Sequence, residues 1–179
     1  MKKKKTAHWP AKTPRYLEQA FSPLQKTGYR LHYAPESMES YHKKGEKFIQ
    51  IGGMATPYFS RTPKRRLRKP ETLSVLRHEM GHAEPGVKQD WRRLAKMRPK
   101  GSQPDSPEAQ RGLQFANEIN AWKNAIRAGR GRVNQRVMRH GLFTHASASR
   151  HTMDRFIPKL RSLNRYGRMV RHKNRGKKR

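Results

Sequence analysis

Apolar and polar positions in the first third of the chain follow the period expected of β-strands. Residues 29–34 alternate with a period of two, which is typical of a half-buried strand. Residues 47–52 combine aromatic and β-branched side chains and are followed by glycine, which predicts a second strand that ends there. A short helix is expected to start at Tyr16 and to end before Gly28. The polar residues 35–45 between the strands are expected to form a loop.

Helical spacing replaces this alternation further along the chain. The Pro-Glu-Thr sequence at residues 70–72 predicts a helix start, because proline fits the first turn and glutamate favours its positive end. Leu73, Leu76 and Met80 then recur at helical spacing, and Pro85 is expected to stop the helix.

Another helix is predicted after a polar linker over residues 92–105. Ser106 is a favourable N-cap, and the proline and glutamate that follow suit a first turn. Its buried face is marked by apolar residues at i, i+4, i+7 and i+11, namely Phe115, Ile119, Trp122 and Ile126. Further helices are expected over residues 133–139 and 152–163, the latter interrupted near Pro158. Strands followed by helices predict an α+β domain.

Composition adds basic extensions to this domain. The 179 residues carry 43 Lys+Arg against 12 Asp+Glu, a formal net charge of +31, and that length fits one domain. The basic residues concentrate in segments 2–5, 64–69, 127–139 and 165–179. We therefore expect a basic N-terminal arm over residues 1–14, a folded domain over residues 15–164 and a basic C-terminal tail over residues 165–179, with largely disordered termini.

The charge also predicts partners, and two absences exclude classes of protein. Such a net charge favours DNA, RNA or nucleoprotein, bound through backbone phosphates because no folded nucleic-acid motif is recognisable. The absence of cysteine excludes disulfides, thiolate metal sites and cysteine nucleophiles. No apolar run reaches the 18 residues of a membrane span, so no membrane partner is expected.

Residues 78–82, His-Glu-Met-Gly-His, match the H-E-x-x-H pattern inside the helix predicted to start at residue 70. His78 and His82 are one turn apart, so both imidazoles project from the same face and can bind zinc. Glu79 lies beside them, suited to take a proton from water that the metal activates. Gly81 would let a neighbouring helix approach closely. The simpler alternative is an exposed His-Glu-His on a solvated face.

A catalytic zinc site needs a third protein ligand, and Glu118 is the best candidate. It borders the apolar stripe of the helix predicted after Ser106, where a carboxylate is costly to bury unless it is paired or metal-bound. The alternative is a Glu118 that is exposed or paired with Arg111. His140 and His145 are rival ligands, and either could instead stabilise an oxyanion or be an ordinary polar residue.

Residues 73–82 and 117–122 resemble the active-site motifs of the zincin metallopeptidases. Within them the chain is similar to small gluzincins, whose third ligand is a Glu in a Glu-x-x-Ala context on a following helix, and to their compact versions in phages, mobile elements and bacteria. The resemblance covers roughly residues 28–128. It implies a small sheet against the active-site helix and hydrolysis of peptide bonds by zinc-activated water. The 35 residues between His82 and Glu118 depart from that pattern.

The resemblance further implies an extended substrate beside an edge strand just before the active-site helix. That position falls on Phe48, Ile49, Gln50, Ile51 and Gly52, for which a core strand is an equal alternative. The main hypothesis is a zinc metalloendopeptidase acting on a protein or peptide near nucleic acid, in the cytoplasm (host cytoplasm or virion if phage-encoded). The second is a non-enzymatic, basic nucleic-acid-associated or virion protein with a structural or relic zinc site.

Overall fold

The computed structural model describes residues 12–43, 45–55, 65–83, 103 and 106–176. Three predicted features lie outside the described residues: the N-terminal arm up to residue 11, the helix end at Pro85 and most of the linker over residues 92–105. The α+β class is confirmed. In chain order the elements are α1 (Arg15–Gln25), β1 (Arg30–Ala34), β2 (Tyr41–Lys43), β3 (Phe48–Gly52), α2 (Lys69–Ala83), α3 (Pro107–Ala128), α4 (Gln135–Ala146) and α5 (Arg150–Gly176).

The three strands form a mixed sheet in the order β1-β3-β2. β1 runs parallel to β3 over five residue pairs, from Arg30↔Phe48 to Ala34↔Gly52, and β2 pairs antiparallel with the other side of β3. The edge position expected for Phe48–Gly52 is therefore not observed: β3 is the central strand, paired with β1 along its whole length and with β2 from Phe48 to Gln50. Ile49 and Ile51 are fully buried, as in an ordinary core strand.

Two hydrophobic clusters hold these elements together. The sheet cluster joins α1, the strands and α2 and includes Leu17, Phe21, Ile49, Ile51 and Leu76. The helical cluster joins α3, α4 and α5 and includes Phe115, Trp122, Ile126, Leu142, Phe156 and Leu163. Val75 of α2 packs against both clusters, so the contact between α2 and α3 is where the two halves of the molecule meet.

The C-terminal segment differs from the expected tail. α5 continues through Pro158, which lies on its exposed side, and extends to Gly176. Leu163 and Gly167 are buried, and Val170 packs against the helical cluster, which gives α5 an apolar stripe at helical spacing. The expectation of a disordered tail from residue 165 is thus wrong for residues 165–176. Among the described helices, none is both long and apolar enough to cross a bilayer.

Candidate metal centre

A partly buried ion pair fixes the start of α2. The backbone N–H of Arg68 donates to Glu71 Oε2 at 2.7 Å, and the Arg65 guanidinium donates to both carboxylate oxygens at 3.0 and 3.1 Å. Burial raises the pKa of Glu71, but these hydrogen bonds outweigh burial and leave that pKa below its ordinary value. Glu71 thus anchors the helix that carries both histidines to the segment before it.

Gly81 allows α2 to pack directly against the backbone of α3. A Cβ at this position would lie 2.4 Å from the carbonyl oxygen of Ala121. The Asn124 side-chain amide donates to the Gly81 carbonyl at 3.1 Å and adds a buried polar contact between the helices. Because Glu118 precedes Ala121 by almost one turn of α3, this close approach brings its carboxylate to the histidine face of α2.

The donor atoms of His78, His82 and Glu118 converge at one point. Nε2 of His78 lies 3.0 Å from Glu118 Oε2, Nε2 of His82 lies 3.2 Å from Glu118 Oε1, and the two Nε2 atoms are 3.2 Å apart. Tetrahedral zinc with bonds of roughly 2.05 Å separates its ligand atoms by about 3.3 Å. The three side chains could therefore hold a metal ion with little movement.

The electrostatics of this group suit a cation. Glu118 is buried, and although burial raises its pKa, the adjacent His78 and His82 outweigh burial and hold that pKa far below its ordinary value. Within the described residues, Glu118 Oε2 makes its 3.0 Å contact with His78 Nε2 without hydrogen-bond geometry, and His78 Nδ1 is buried without a hydrogen-bond partner. Two imidazoles and a carboxylate with an unused lone pair are a donor set that zinc accepts. The residues present fit the metal that the sequence predicted.

Trp122 fixes the orientation of one candidate ligand. Its ring stacks on the His78 imidazole with centroids 4.2 Å apart and planes inclined by 22°. On the other side, Gly141 of α4 makes room for Trp122, since a Cβ there would lie 3.1 Å from Trp122 Cζ2. The sequence predicted Trp122 as part of a buried stripe, but its helical spacing gave no sign that it would contact a ligand.

Glu79 lies on the wall of a cavity beside the three donors. The cavity has a volume of about 230 Å³ and includes His78, Glu79 and Glu118 in its lining. Burial raises the pKa of Glu79, and the nearby imidazoles only partly offset this effect. A carboxylate of this kind is a stronger base than an exposed one, so Glu79 can exchange a proton with a molecule in the cavity.

The two rival histidines both belong to α4 and line the same cavity. His145 Nε2 lies 3.4 Å from Glu118 Oε1, but His145 does not belong to the described group of converging donor atoms. Burial lowers the pKa of His140, so its imidazole is neutral at neutral pH. Neither position displaces Glu118 as the third candidate ligand.

The predicted substrate strand is not brought to this cavity. None of the described lining residues comes from Phe48–Gly52. Met38 and Ser40, which precede β2, and Met54 and Ala55, which follow β3, line it instead. Nothing in the sequence marked these four residues, because Met38 and Ser40 fall in a segment predicted only as a loop, and Met54 and Ala55 follow the predicted end of the second strand.

No protein-family model, curated protein or solved structure matches this chain. The assignment of the site therefore depends on the geometry of this chain alone. Two packed helices of an α+β fold present His78, His82 and Glu118 as a group that could hold a metal ion.

Proposed function

We propose that this protein is a zinc metallopeptidase that hydrolyses peptide bonds near nucleic acid or nucleoprotein. The observation that carries the proposal is the convergence of His78, His82 and Glu118 beside the buried carboxylate of Glu79, at the wall of a cavity. The resemblance of residues 73–82 and 117–122 to gluzincin motifs supports the same assignment.

The number of ligands favours a catalytic over a structural site. Structural zinc sites close with four protein ligands, whereas catalytic sites use three and keep one position open. In the described part of the chain the converging group has three members. A structural site is therefore the weaker interpretation, although the non-enzymatic alternative remains an outcome of the test below.

The chain's own residues would divide the chemistry among them. When zinc is held by His78, His82 and Glu118, it supplies the Lewis acidity that activates water and polarises the scissile carbonyl. Glu79 accepts the proton of the attacking water and returns it to the leaving amine. His140 and His145, which line the cavity, supply donors for the charge that develops on the carbonyl oxygen.

The sheet offers a different substrate strand from the one that the sequence predicted. β2 is antiparallel to β3, and within the described residues no strand pairs with its other side. An extended peptide added along that side would pass Met38 and Ser40 at the cavity wall. We expect a substrate with an apolar residue at the cavity, because several lining residues are apolar. These are Met38, Met54, Leu67, Val75 and Val137.

The partner part of the proposal rests on charge. With a formal net charge of +31, the basic side chains of a compact chain repel one another, and a bound polyanion reduces that repulsion. Nucleic acid supplies such charge, and each neutralised phosphate releases counterions.

Glu79→Gln is the decisive variant. Because Glu79 is proposed as the base and not as a ligand, we expect stoichiometric zinc but a loss of peptide cleavage of roughly 10²–10⁴-fold. Zinc would be measured by elemental analysis, and cleavage on a fluorogenic peptide library and on casein. The matched control is Glu108→Gln, an exposed glutamate on α3, which should change neither. Unchanged cleavage by the Glu79 variant, or no cleavage by the parent, would support the non-enzymatic alternative.

A further inference from the structure

A second cavity collects positive charge. We call it the arginine pocket; its volume is about 310 Å³, and its described lining is Arg77, Ala128, Gly129, Arg130, Arg132, Arg171, Asn174 and Arg175. None of these residues carries a carboxylate, and none of them also lines the metal cavity. Five of the eight described lining residues are arginines, and so much positive charge on one part of the surface is costly in mutual repulsion unless an anion is bound.

The pocket is built from three elements in close contact. The turn after α3 has Arg130 and Gly131 at positive φ (51° and 81°), and a Cβ on Gly131 would lie 2.4 Å from Arg171 Cγ of α5. Arg77 of α2 donates to the Arg132 carbonyl of the same turn at 3.1 Å. Packing between the turn and the two helices therefore brings these arginines to one side of the molecule.

The negative ends of two helix dipoles offset only part of the positive charge of the arginine pocket. The arginine pocket lies where α3 ends, and Arg171 and Arg175 belong to the last turns of α5. Each helix C-terminus carries about half a negative charge, so two of them offset roughly one of the five positive charges. Burial lowers the pKa of Arg77. An excess of roughly four charges remains for a ligand.

The exposed face of α5 extends this charge away from the pocket. Basic side chains recur at i, i+4, i+7, i+11 and i+14 and are all exposed: Arg161, Arg165, Arg168, His172 and Arg175. At 1.5 Å per residue this stripe is about 21 Å long. Along the axis of a duplex one strand carries a phosphate about every 3.4 Å, so a stripe of this length is long enough to reach several phosphates.

We infer that the arginine pocket binds a backbone phosphate of a nucleic acid, and that the α5 stripe contacts neighbouring phosphates. Guanidinium groups bind phosphate oxygens in bidentate fashion, which favours arginine over lysine in such a pocket. This inference deepens the nucleic-acid part of the proposed function and does not depend on peptide hydrolysis.

The test compares two triple variants that remove equal charge. The pocket variant carries Arg132→Ala, Arg171→Ala and Arg175→Ala; the control carries Arg15→Ala, Arg30→Ala and Arg111→Ala, and all six arginines are exposed. Binding to a fluorescein-labelled, mixed-sequence DNA duplex is followed by anisotropy over a salt series, with single-stranded DNA and RNA of the same sequence in parallel. We expect the salt slope of the pocket variant to fall by about one to two, because the pocket neutralises one phosphate and Arg175 also belongs to the α5 stripe. Its affinity at 0.1 M salt should fall by at least about 100-fold. The control should lose less than about fivefold.

Equal losses in the two variants would overturn the inference, because the charge would then act without a site. The inference would also be overturned if polyglutamate competed as effectively as unlabelled DNA. The relative affinities for duplex DNA, single-stranded DNA and RNA identify which nucleic acid supplies the phosphate. A third variant with lysine at the three pocket positions should keep the salt slope but lose affinity. Zinc content and peptide cleavage are measured on the same preparations, so failure of the peptidase proposal is detected separately from failure of this one.

Discussion

Two of the cavities next to α2, the metal cavity and the arginine pocket, are built from opposite chemistry. Arg77 and His78 are consecutive residues, yet one lines the arginine pocket and the other the metal cavity. The metal cavity has two buried glutamates in a chain with only 12 acidic residues, whereas the described lining of the arginine pocket has none. The molecule thus concentrates scarce negative charge where a cation could bind. This separation predicts that each cavity can be disabled without the other.

The largest effect on this comparison is expected from Glu118→Ala. Removing one of three ligands should weaken zinc binding by more than about 100-fold, because even residues that only support a ligand cost 10–100-fold. DNA affinity should stay within about threefold of the parent, since Glu118 lies in the other cavity. Zinc is titrated by competition with a chromogenic chelator, and DNA binding by anisotropy.

Glu108→Ala on the same helix is the control for this change, because Glu108 is exposed and should affect neither measurement. Stoichiometric, tight zinc in the Glu118 variant would contradict the assignment. His145→Ala would then identify the ligand, because its Nε2 atom lies 3.4 Å from Glu118 Oε1.

Gly81→Ala tests the helix contact that forms the metal cavity. The added methyl would lie 2.4 Å from the Ala121 carbonyl oxygen, so the helices must move apart, at a cost of about 1–3 kcal/mol in free energy of unfolding. We also expect weaker zinc binding, because the move separates Glu118 from the histidines. Denaturant unfolding and zinc titration measure the two effects.

Gly167→Ala is the matched control for that steric effect. Its new methyl group would meet its nearest neighbour at 3.8 Å, an ordinary contact, so the gain in helix propensity should stabilise α5 by about 1 kcal/mol. Equal stability of the two variants would mean that the approach of α2 to α3 is not as close as described.

Glu71→Gln should give a smaller, pH-dependent effect. The pKa of Glu71 is depressed below its ordinary 4.5 in the folded state, so its charged form stabilises the fold above that pH. At pH 7 we expect the variant to lose about 2 kcal/mol in free energy of unfolding. The difference from the parent should shrink as the pH falls below about 4.5 and through the folded-state pKa.

Glu18→Gln provides the comparison for that pH series. Glu18 also lies in the first turn of a helix, but it is exposed, so its replacement should cost less than about 0.5 kcal/mol. A difference between parent and Glu71 variant that does not change between pH 7 and acid would contradict the role of the charged carboxylate.

The metal group was the most predictable part of this molecule. His78 and His82 share a helix, so their separation follows from helix geometry alone. Glu118 required one further argument, the cost of burying a carboxylate beside an apolar stripe, and that argument led to the position that the structure brings to the histidines. Gly81 was also recognised, because a missing side chain within a motif points to close packing.

Features that depend on distant residues were not predictable. β2 has three residues and exists through its pairing with β3, which no local pattern of residues 35–45 indicates. The many arginines of α5 obscured the stripe of Leu163, Gly167 and Val170 that packs against the core. The arginine pocket joins Arg77 to Arg171, which only the folded chain brings together.

The stacking of Trp122 on His78 gives the molecule a built-in optical sensor. Of three tryptophans, Trp9 and Trp91 fall outside the described residues, while Trp122 lies 4.2 Å, centroid to centroid, from a candidate metal ligand. Any change in the protonation or coordination of that imidazole alters the electronic surroundings of the indole. The emission of this residue would therefore register occupancy of the centre in solution, without a label and without a substrate.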